Sequence, residues 1–347
     1  MPASIQPEHS AAEPITAYFR SFTVTYISRR AFGLSLAGAS AAALPLAAAL
    51  SRGAAARTTP AAKSVPPLAQ IRVGRFEVTA LSDGYADMPF GYFTGRSPAD
   101  IETAATAAFA ARKGNIRLAF NQFLVRDGGM SILIDAGPNG QVGQSGRLPE
   151  GLNALGVKRS DIDAVILTHL HVDHIAGLVA GGRKVFPNAE IYADRRDVAH
   201  WTDAAKRAAA PDFLKSSFDT AALVMRLYPK LNRIDGEREI SRGISIVDLT
   251  GHTPGHIGVR IADGADSLTM VSDMMFHPTL HPGAADIGFV FEQDPAAARA
   301  MRERFFPRAL EDKTLIAATH MPFPGLGRIV RDGDRNRWLP TEWGFRA

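Results

Sequence analysis

Apolar and polar positions change their period several times along the chain, and each change marks an element. Ile71-Arg72-Val73 and Phe76-Glu77-Val78-Thr79-Ala80-Leu81 flank Gly74-Arg75, which predicts a hairpin. Residues 99–111 are alanine-rich and predict a helix. A second hairpin is expected from Asn121-Gln122-Phe123-Leu124-Val125 and Ser131-Ile132-Leu133-Ile134-Asp135, turning at Asp127-Gly128-Gly129. Helix and strand then alternate. The pattern predicts a helix over 145–156, a short buried strand over 164–167, a strand over 189–192 and a helix from Asp194. Strands follow at 244–249, 258–261 and 268–271, then a helix over 295–305 and a last strand over 314–318. Hairpins first, and strands mixed with helices afterwards, predict a layered α/β protein. Neither an internal repeat nor a Pro/Ser-rich break interrupts residues 70–347, which read as one domain.

The first 69 residues follow another pattern. Residues 1–27 are an N-terminal extension. Ser28-Arg29-Arg30-Ala31-Phe32 then precedes an apolar, alanine-rich run from Leu34 to Leu50 and the small residues Ala54-Ala55-Ala56. A charged pair, an apolar run and small residues are the layout of a cleavable export signal, here over 28–56. The adjacent arginines resemble a twin-arginine signal, although Gly33 stands where a large apolar residue is more usual. Residues 57–69, rich in Thr, Pro, Ala and Lys, read as a linker. The mature protein is therefore expected in the periplasm or outside the cell, after transient contact with the export machinery.

Composition narrows the chemistry. With 46% hydrophobic and 21% charged residues the chain is globular rather than disordered. Its 39 basic and 35 acidic residues leave a net charge of +4, too small a surplus to suggest a nucleic-acid partner. There are no cysteines, which excludes disulfides, zinc–thiolate and iron–sulfur sites and a thiol nucleophile. A metal site must be built from histidine and carboxylate.

The ten histidines are distributed in a way that suggests one. Thr168-His169-Leu170-His171-Val172-Asp173-His174 directly follows the apolar strand 164–167. Residues two apart at an extended strand end face the same way, so His169 and His171 can bind one cation together. Asp173 and His174 follow where the chain turns into a helix and can aim at a second position. Imidazole and carboxylate without sulfur suit Zn²⁺ or a comparable divalent ion.

This run resembles the H-x-H-x-D-H signature of the metallo-β-lactamase superfamily. The resemblance continues through Gly251-His252-Thr253-Pro254-Gly255-His256, Val271-Ser272-Asp273 and Ile316-Ala317-Ala318-Thr319-His320. It implies an αββα four-layer sandwich, mixed sheets with helices on the outer faces. It also implies two divalent ions, zinc foremost, with manganese, cobalt or iron as alternatives. One would be held by His169, His171 and His252, the other by Asp173, His174 and His320. Asp273 and a water-derived hydroxide would bridge them, with Asp173 and Asp273 as the catalytic carboxylates. By the same resemblance His256 is a supporting residue and Asp135 a structural aspartate.

Phe186-Pro187-Asn188-Ala189, Ala193-Asp194, Asp197, Trp201 and the segment His320–Gly327 are similar to methyl parathion hydrolase-like and lactonase-like members. That implies hydrolysis of a small apolar ester or lactone, or of a phosphotriester, in a greasy pocket. Trp201, Phe218, Phe276 and Phe323 are the candidate pocket walls, with Phe289 and Phe291 as further candidates. Val142 stands where the parathion hydrolase-like members carry an aromatic, and Phe276 lacks the hydroxyl that some lactonases place there. His277 and His281 read as residues of a solvated loop, and His200 as structural. Competing readings are a glyoxalase II-like thioester hydrolase, a one-iron dioxygenase and a periplasmic metal-binding protein. A homodimer is left open.

Overall fold

The computed structural model describes residues 66–342. The expected leader, 1–56, and residues 57–65 of the expected linker lie outside the described residues. Leu68 and Ala69, at the end of that linker, already pair with Leu81 and Ala80 in the first hairpin.

Among the described residues, two large mixed sheets carry the fold. The first takes its strands in the order Leu68–Val73, Phe76–Pro89, Asn115–Arg126, Ser131–Ile134, Ala164–Ile166, Glu190–Asp194 and Asn232–Ile234. The second runs Glu239–Ser241, Ile244–Asp248, Ile257–Asp263, Asp266–Met270, Leu315–Ala317, Leu326–Asp332 and Arg335–Pro340.

The period of two along each strand assigns side chains to layers. Phe123, Val125, Ile132, Ile134, Ala164 and Ile166 turn inward and pack with Ile246, Val259, Ile261, Leu268, Met270 and Ala317 of the facing sheet. The alternate residues Leu124, Leu133 and Val165 turn outward. They are covered by Leu148 and Leu152 of the helix Leu148–Ala154, by Val198 and Trp201 of Arg195–Trp201, and by Leu214, Phe218 and Val224 of Asp212–Leu227. On the far side, Ile316, Ile329 and Trp338 pack under Phe306 and Ala309 of the helix Pro295–Glu311. The result is the helix–sheet–sheet–helix sandwich. Strands covered on both faces read as apolar runs rather than as clean alternation.

Four features depart from the sequence pattern. The strand expected to stop at Leu81 continues to Pro89 through a bulge between Ser82 and Gly84. Gly84 has φ 141°, and a Cβ there would stand 1.9 Å from the Gln144 carbonyl, so glycine lets the loop carrying Gln144 pack against the strand. The helix Pro98–Ala107 ends before the expected 111, and Ala111–Arg112 is a short strand. The helix Asp212–Leu227 and the C-terminal hairpin Leu326–Asp332/Arg335–Pro340 were not anticipated.

Candidate metal centre

Each candidate ligand follows the end of a strand. His169 and His171 lie on the extension of Ala164–Ile166, and Asp173 and His174 in the first turn of the short helix Val172–Ile175. His252 follows Ile244–Asp248, Asp273 follows Asp266–Met270, and His320 follows Leu315–Ala317. Gly251 sets the turn before His252: its φ is 143°, and a Cβ would lie 2.4 Å from the Ala298 nitrogen.

These strand ends bring the donors into two groups. His169, His171, His252 and Asp273 form one, and Asp173, His174 and His320 the other, with the donor atoms of each group within 4.8 Å of one another. In the first, His169 Nε2 and His252 Nε2 both face His171 Nδ1, at 2.9 and 3.0 Å. Asp273 Oδ2 is 3.3 Å from His252 Nε2 and 3.1 Å from His320 Nε2, while its Oδ1 is 3.3 Å from His174 Nε2. Asp173 Oδ2 lies 3.5 Å from His174 Nε2 and 3.6 Å from His320 Nε2. Asp173 is also the least buried of the seven.

The surrounding hydrogen bonds select which nitrogen of each ring faces inward. His174 Nδ1 donates to Asp135 Oδ2 at 2.8 Å, and His320 Nδ1 to the Ala119 carbonyl at 2.9 Å. His169 Nδ1 contacts the Thr168 hydroxyl at 3.1 Å, which itself donates to Asp135 at 2.8 Å. All three Nε2 atoms therefore face the centre. His256 stays outside both groups: its Nδ1 donates to the Leu249 carbonyl at 3.1 Å.

The donor set fits divalent cations. One ring proton on His171 Nδ1 cannot serve two facing imidazole nitrogens, and among the described residues the buried His174 Nε2 makes no hydrogen bond of normal geometry. A tetrahedral ion with bonds of about 2.0–2.1 Å sets its ligand nitrogens about 3.3 Å apart, close to the spacing seen. Electrostatics agree. Burial drives His169 and His252 well below the usual imidazole range and His171 down to about 4, so these rings are neutral, the form in which imidazole binds a cation. Burial opposes charge on His174 and His320 as well, but the carboxylates of Asp273 and Asp173 prevail and raise both. Burial likewise opposes charge on Asp273, yet the imidazoles around it hold it well below the carboxylate range. The pocket is thus built around missing positive charge.

Residues 118–320 match the metallo-beta-lactamase superfamily as a whole. The chain belongs to that family. Two solved structures resemble it over nearly their full length. The hydrolase AbOPH is 26% identical with a TM-score of 0.75, covering 82% of this chain and 100% of that one. AidC, a dizinc quorum-quenching lactonase in complex with a product, is 27% identical with a TM-score of 0.75, covering 81% and 99%. Among curated relatives, hydroxyacylglutathione hydrolase of Aeromonas salmonicida is 26% identical over 200 residues, 57% of this chain and 59% of that protein. N-acyl homoserine lactonase AiiB of Agrobacterium fabrum is 28% identical over 141 residues, 38% and 47%. The chain therefore spans only about half the length of these curated relatives.

Around the metallo-beta-lactamase centre the aromatics divide into enclosed and open sets. Trp201 and Phe218, expected to wall the pocket, are enclosed in the helix-side core. Trp201 backs the His171 ring at 4.9 Å and Phe218 packs on Trp201 at 4.7 Å. They back a candidate ligand and are closed off from solvent. Phe276 is also buried, stacked on His320 at 5.7 Å, while Phe323 is half-buried and lines a cavity. The open rim beside His171 is made by Phe291, 6.2 Å from that ring, together with Tyr92 and Phe213, which are 36% and 44% exposed. Sequence reasoning missed Tyr92 and Phe213, which no local pattern distinguishes.

The solvated-loop reading of His277 and His281 is corrected by the structure: both are buried. His281 Nε2 donates to the Ile287 carbonyl at 3.0 Å, and Thr279 N–H donates to His277 Nδ1 at 3.2 Å. The loop that carries them folds inward over Phe276 and packs with the first helix and its neighbours. Such a long-range contact leaves no mark on the local sequence.

Proposed function

We propose that the protein is a two-metal hydrolase that cleaves carboxylic esters or lactones, with phosphotriesters as a further substrate class. The observation that carries this reading is the position of Asp273. One of its oxygens faces His174 and the other faces His252 and His320, so a single carboxylate reaches both donor groups. Two divalent ions, when bound, supply Lewis acidity that lowers the pKa of water to about 7 and polarises the scissile carbonyl. The nitrogen and oxygen donors favour zinc.

The chain's own residues supply the rest. Asp173, the most accessible of the seven, is placed to take a proton from the attacking water and return it to the leaving oxygen. Tyr92, Phe213 and Phe291 form an aromatic rim beside His171, suited to excluding water and receiving an apolar acyl or aryl group. The similarity to lactonases supports the ester and lactone class. Thioesters belong in the same test, because one similar protein is a hydroxyacylglutathione hydrolase.

The test is turnover of a panel of lactones, aryl esters, thioesters and phosphotriesters by metal-loaded protein, with a chelator-stripped control. Metal-dependent cleavage of an ester or lactone is expected. Failure on every ester and lactone, by protein shown to be loaded, overturns the reading.

We also propose export of the mature protein, on the strength of Arg29-Arg30 and the apolar run after them. Replacing both arginines with lysine should retain the protein in the cytoplasm; unchanged recovery outside it excludes the twin-arginine route.

A further inference from the structure

A cavity of about 470 Å³ opens next to the His320 loop and contains none of the seven ligands. It reaches the His320 ring from behind through Ala119, which lines it and whose carbonyl accepts from His320 Nδ1. Phe323, three residues beyond His320, and the fully exposed Phe109 supply apolar surface. A larger groove of about 780 Å³ touches no ligand and lies instead beside the helix Pro295–Glu311.

The polar groups of the smaller cavity are one-sided. Arg112 and Arg117 line it, and no carboxylate does. Arg117 is committed elsewhere, to Asp87 through two bonds of 2.7 and 2.8 Å, and its guanidinium stacks 3.5 Å from the Tyr85 ring. Arg112 is exposed, and among the described residues its guanidinium makes no ion pair and no hydrogen bond. His277 adds a donor. Its Nδ1 accepts from Thr279 N–H, which places the ring proton on Nε2, and among the described residues that atom has no acceptor. Burial, reinforced by the Arg112 charge, keeps the ring neutral, with its pKa down to about 4. An unpaired guanidinium and a fixed N–H therefore share one cavity with apolar walls.

We propose that this cavity is a subsite for a monoanionic substituent of the substrate, such as a carboxylate, held by the Arg112 guanidinium and His277 Nε2–H. Phe109 and Phe323 flank the carbon skeleton that bears it. The inference rests on the hydrolase reading and sharpens its substrate class. The preferred ester or lactone carries an anionic group away from the scissile bond, with its apolar part at the aromatic rim near His171. A fully neutral substrate would leave Arg112 with only the longer-range attraction of Asp87.

The test uses the metal-loaded protein and a matched pair, phenyl acetate and 4-acetoxybenzoate. The wild type should prefer the carboxylate ester in kcat/KM, through KM, and the preference should shrink with added salt. In Arg112→Ala the ratio of the two kcat/KM values should fall about tenfold, the scale of one charge-assisted hydrogen bond. His277→Phe, which removes the donor but not the charge, should lower the ratio by a smaller factor. Calorimetric binding of benzenesulfonate, a monoanion that ligates metal poorly, gives a second readout and should weaken by the same factor in Arg112→Ala. A wild type without preference, or a ratio unchanged in Arg112→Ala, overturns the subsite. If neither ester is cleaved, the full panel of esters and lactones decides the hydrolase reading, and the benzenesulfonate comparison alone decides the subsite: equal affinities refute it.

Discussion

Asp197 ties together two of the three chain segments that hold the first donor group, and replacing it separates metal binding from stability. It is the third residue of the helix Arg195–Trp201 and is completely buried. Its carboxylate accepts the Leu170 N–H at 2.9 Å and the Gly255 N–H at 2.6 Å. Leu170 stands between His169 and His171, and Gly255 lies three residues after His252. Burial raises the Asp197 carboxyl from 3.8 to about 6, with the two backbone hydrogen bonds opposing the shift. The folded state thus binds this proton more tightly than the unfolded chain. The group's contribution to stability is greatest below pH 3.8 and is lost as pH rises through about 6. At neutral pH the buried charge costs about 3 kcal/mol. Asp197→Asn removes that cost, but it turns an amide NH₂ toward one of the two backbone N–H groups. A buried N–H left unsatisfied costs about 1–3 kcal/mol. The two effects nearly cancel, so the metal-free variant should lie within about 2 kcal/mol of the wild type in urea unfolding. Nothing offsets the loosened tie between the ligand segments, and zinc affinity at one position should fall about 10–100-fold, measured by competition with a chromophoric chelator. Unchanged affinity at both positions in a folded variant would refute the reasoning.

Other expectations follow from the same geometry. Asp273→Ala removes the one carboxylate shared by both groups and should cost about 10²–10³-fold or more in turnover, whereas His256→Ala, outside the groups, should cost about 10–100-fold. Near-native turnover in Asp273→Ala would remove the basis of the two-metal reading. His281 is held by burial at about 3, so between there and 6.5 only the unfolded chain takes up its proton. Its contribution is complete above about pH 6.5 and is lost on acidification, and His281→Gln should remove about 2–3 kcal/mol of the stability difference between about pH 7.5 and pH 4.5. An unchanged pH slope in urea unfolding would contradict that. Phe291→Ala opens the rim beside His171 and should lower kcat/KM for long-chain or aryl substrates about tenfold, with little change for short-chain esters; equal losses on both would show that the ring acts on the centre itself.

What the sequence made legible was local. A strand end followed by H-x-H-x-D-H carries its geometry in its spacing, and the structure brings His169, His171, Asp173 and His174 together with His252, Asp273 and His320. The layers were legible for the same reason, since Phe123-Leu124-Val125 and Ile132-Leu133-Ile134 each divide between two cores by a period of two. Some signals were present but unused. Leu214, Phe218, Ala221 and Val224 recur at helical spacing, and Asp332-Gly333-Asp334 marks the turn of the last hairpin. Other features had no local signal. Burial of His277 and His281, the bonds from Asp197 to two distant backbone groups, and the meeting of Tyr92, Phe213 and Phe291 all arise from contacts between remote segments. Trp201 and Phe218 show the limit of reading aromatics near ligand loops: closeness to a ligand does not determine which side of it faces solvent.

The central claim is that two ions, sharing Asp273, are needed for ester or lactone cleavage. Stepwise reconstitution of the metal-free protein with zinc, following turnover of its best substrate against equivalents bound, tests it most directly. The account predicts turnover that reaches its plateau only at two equivalents per chain; full turnover at a single equivalent would contradict it.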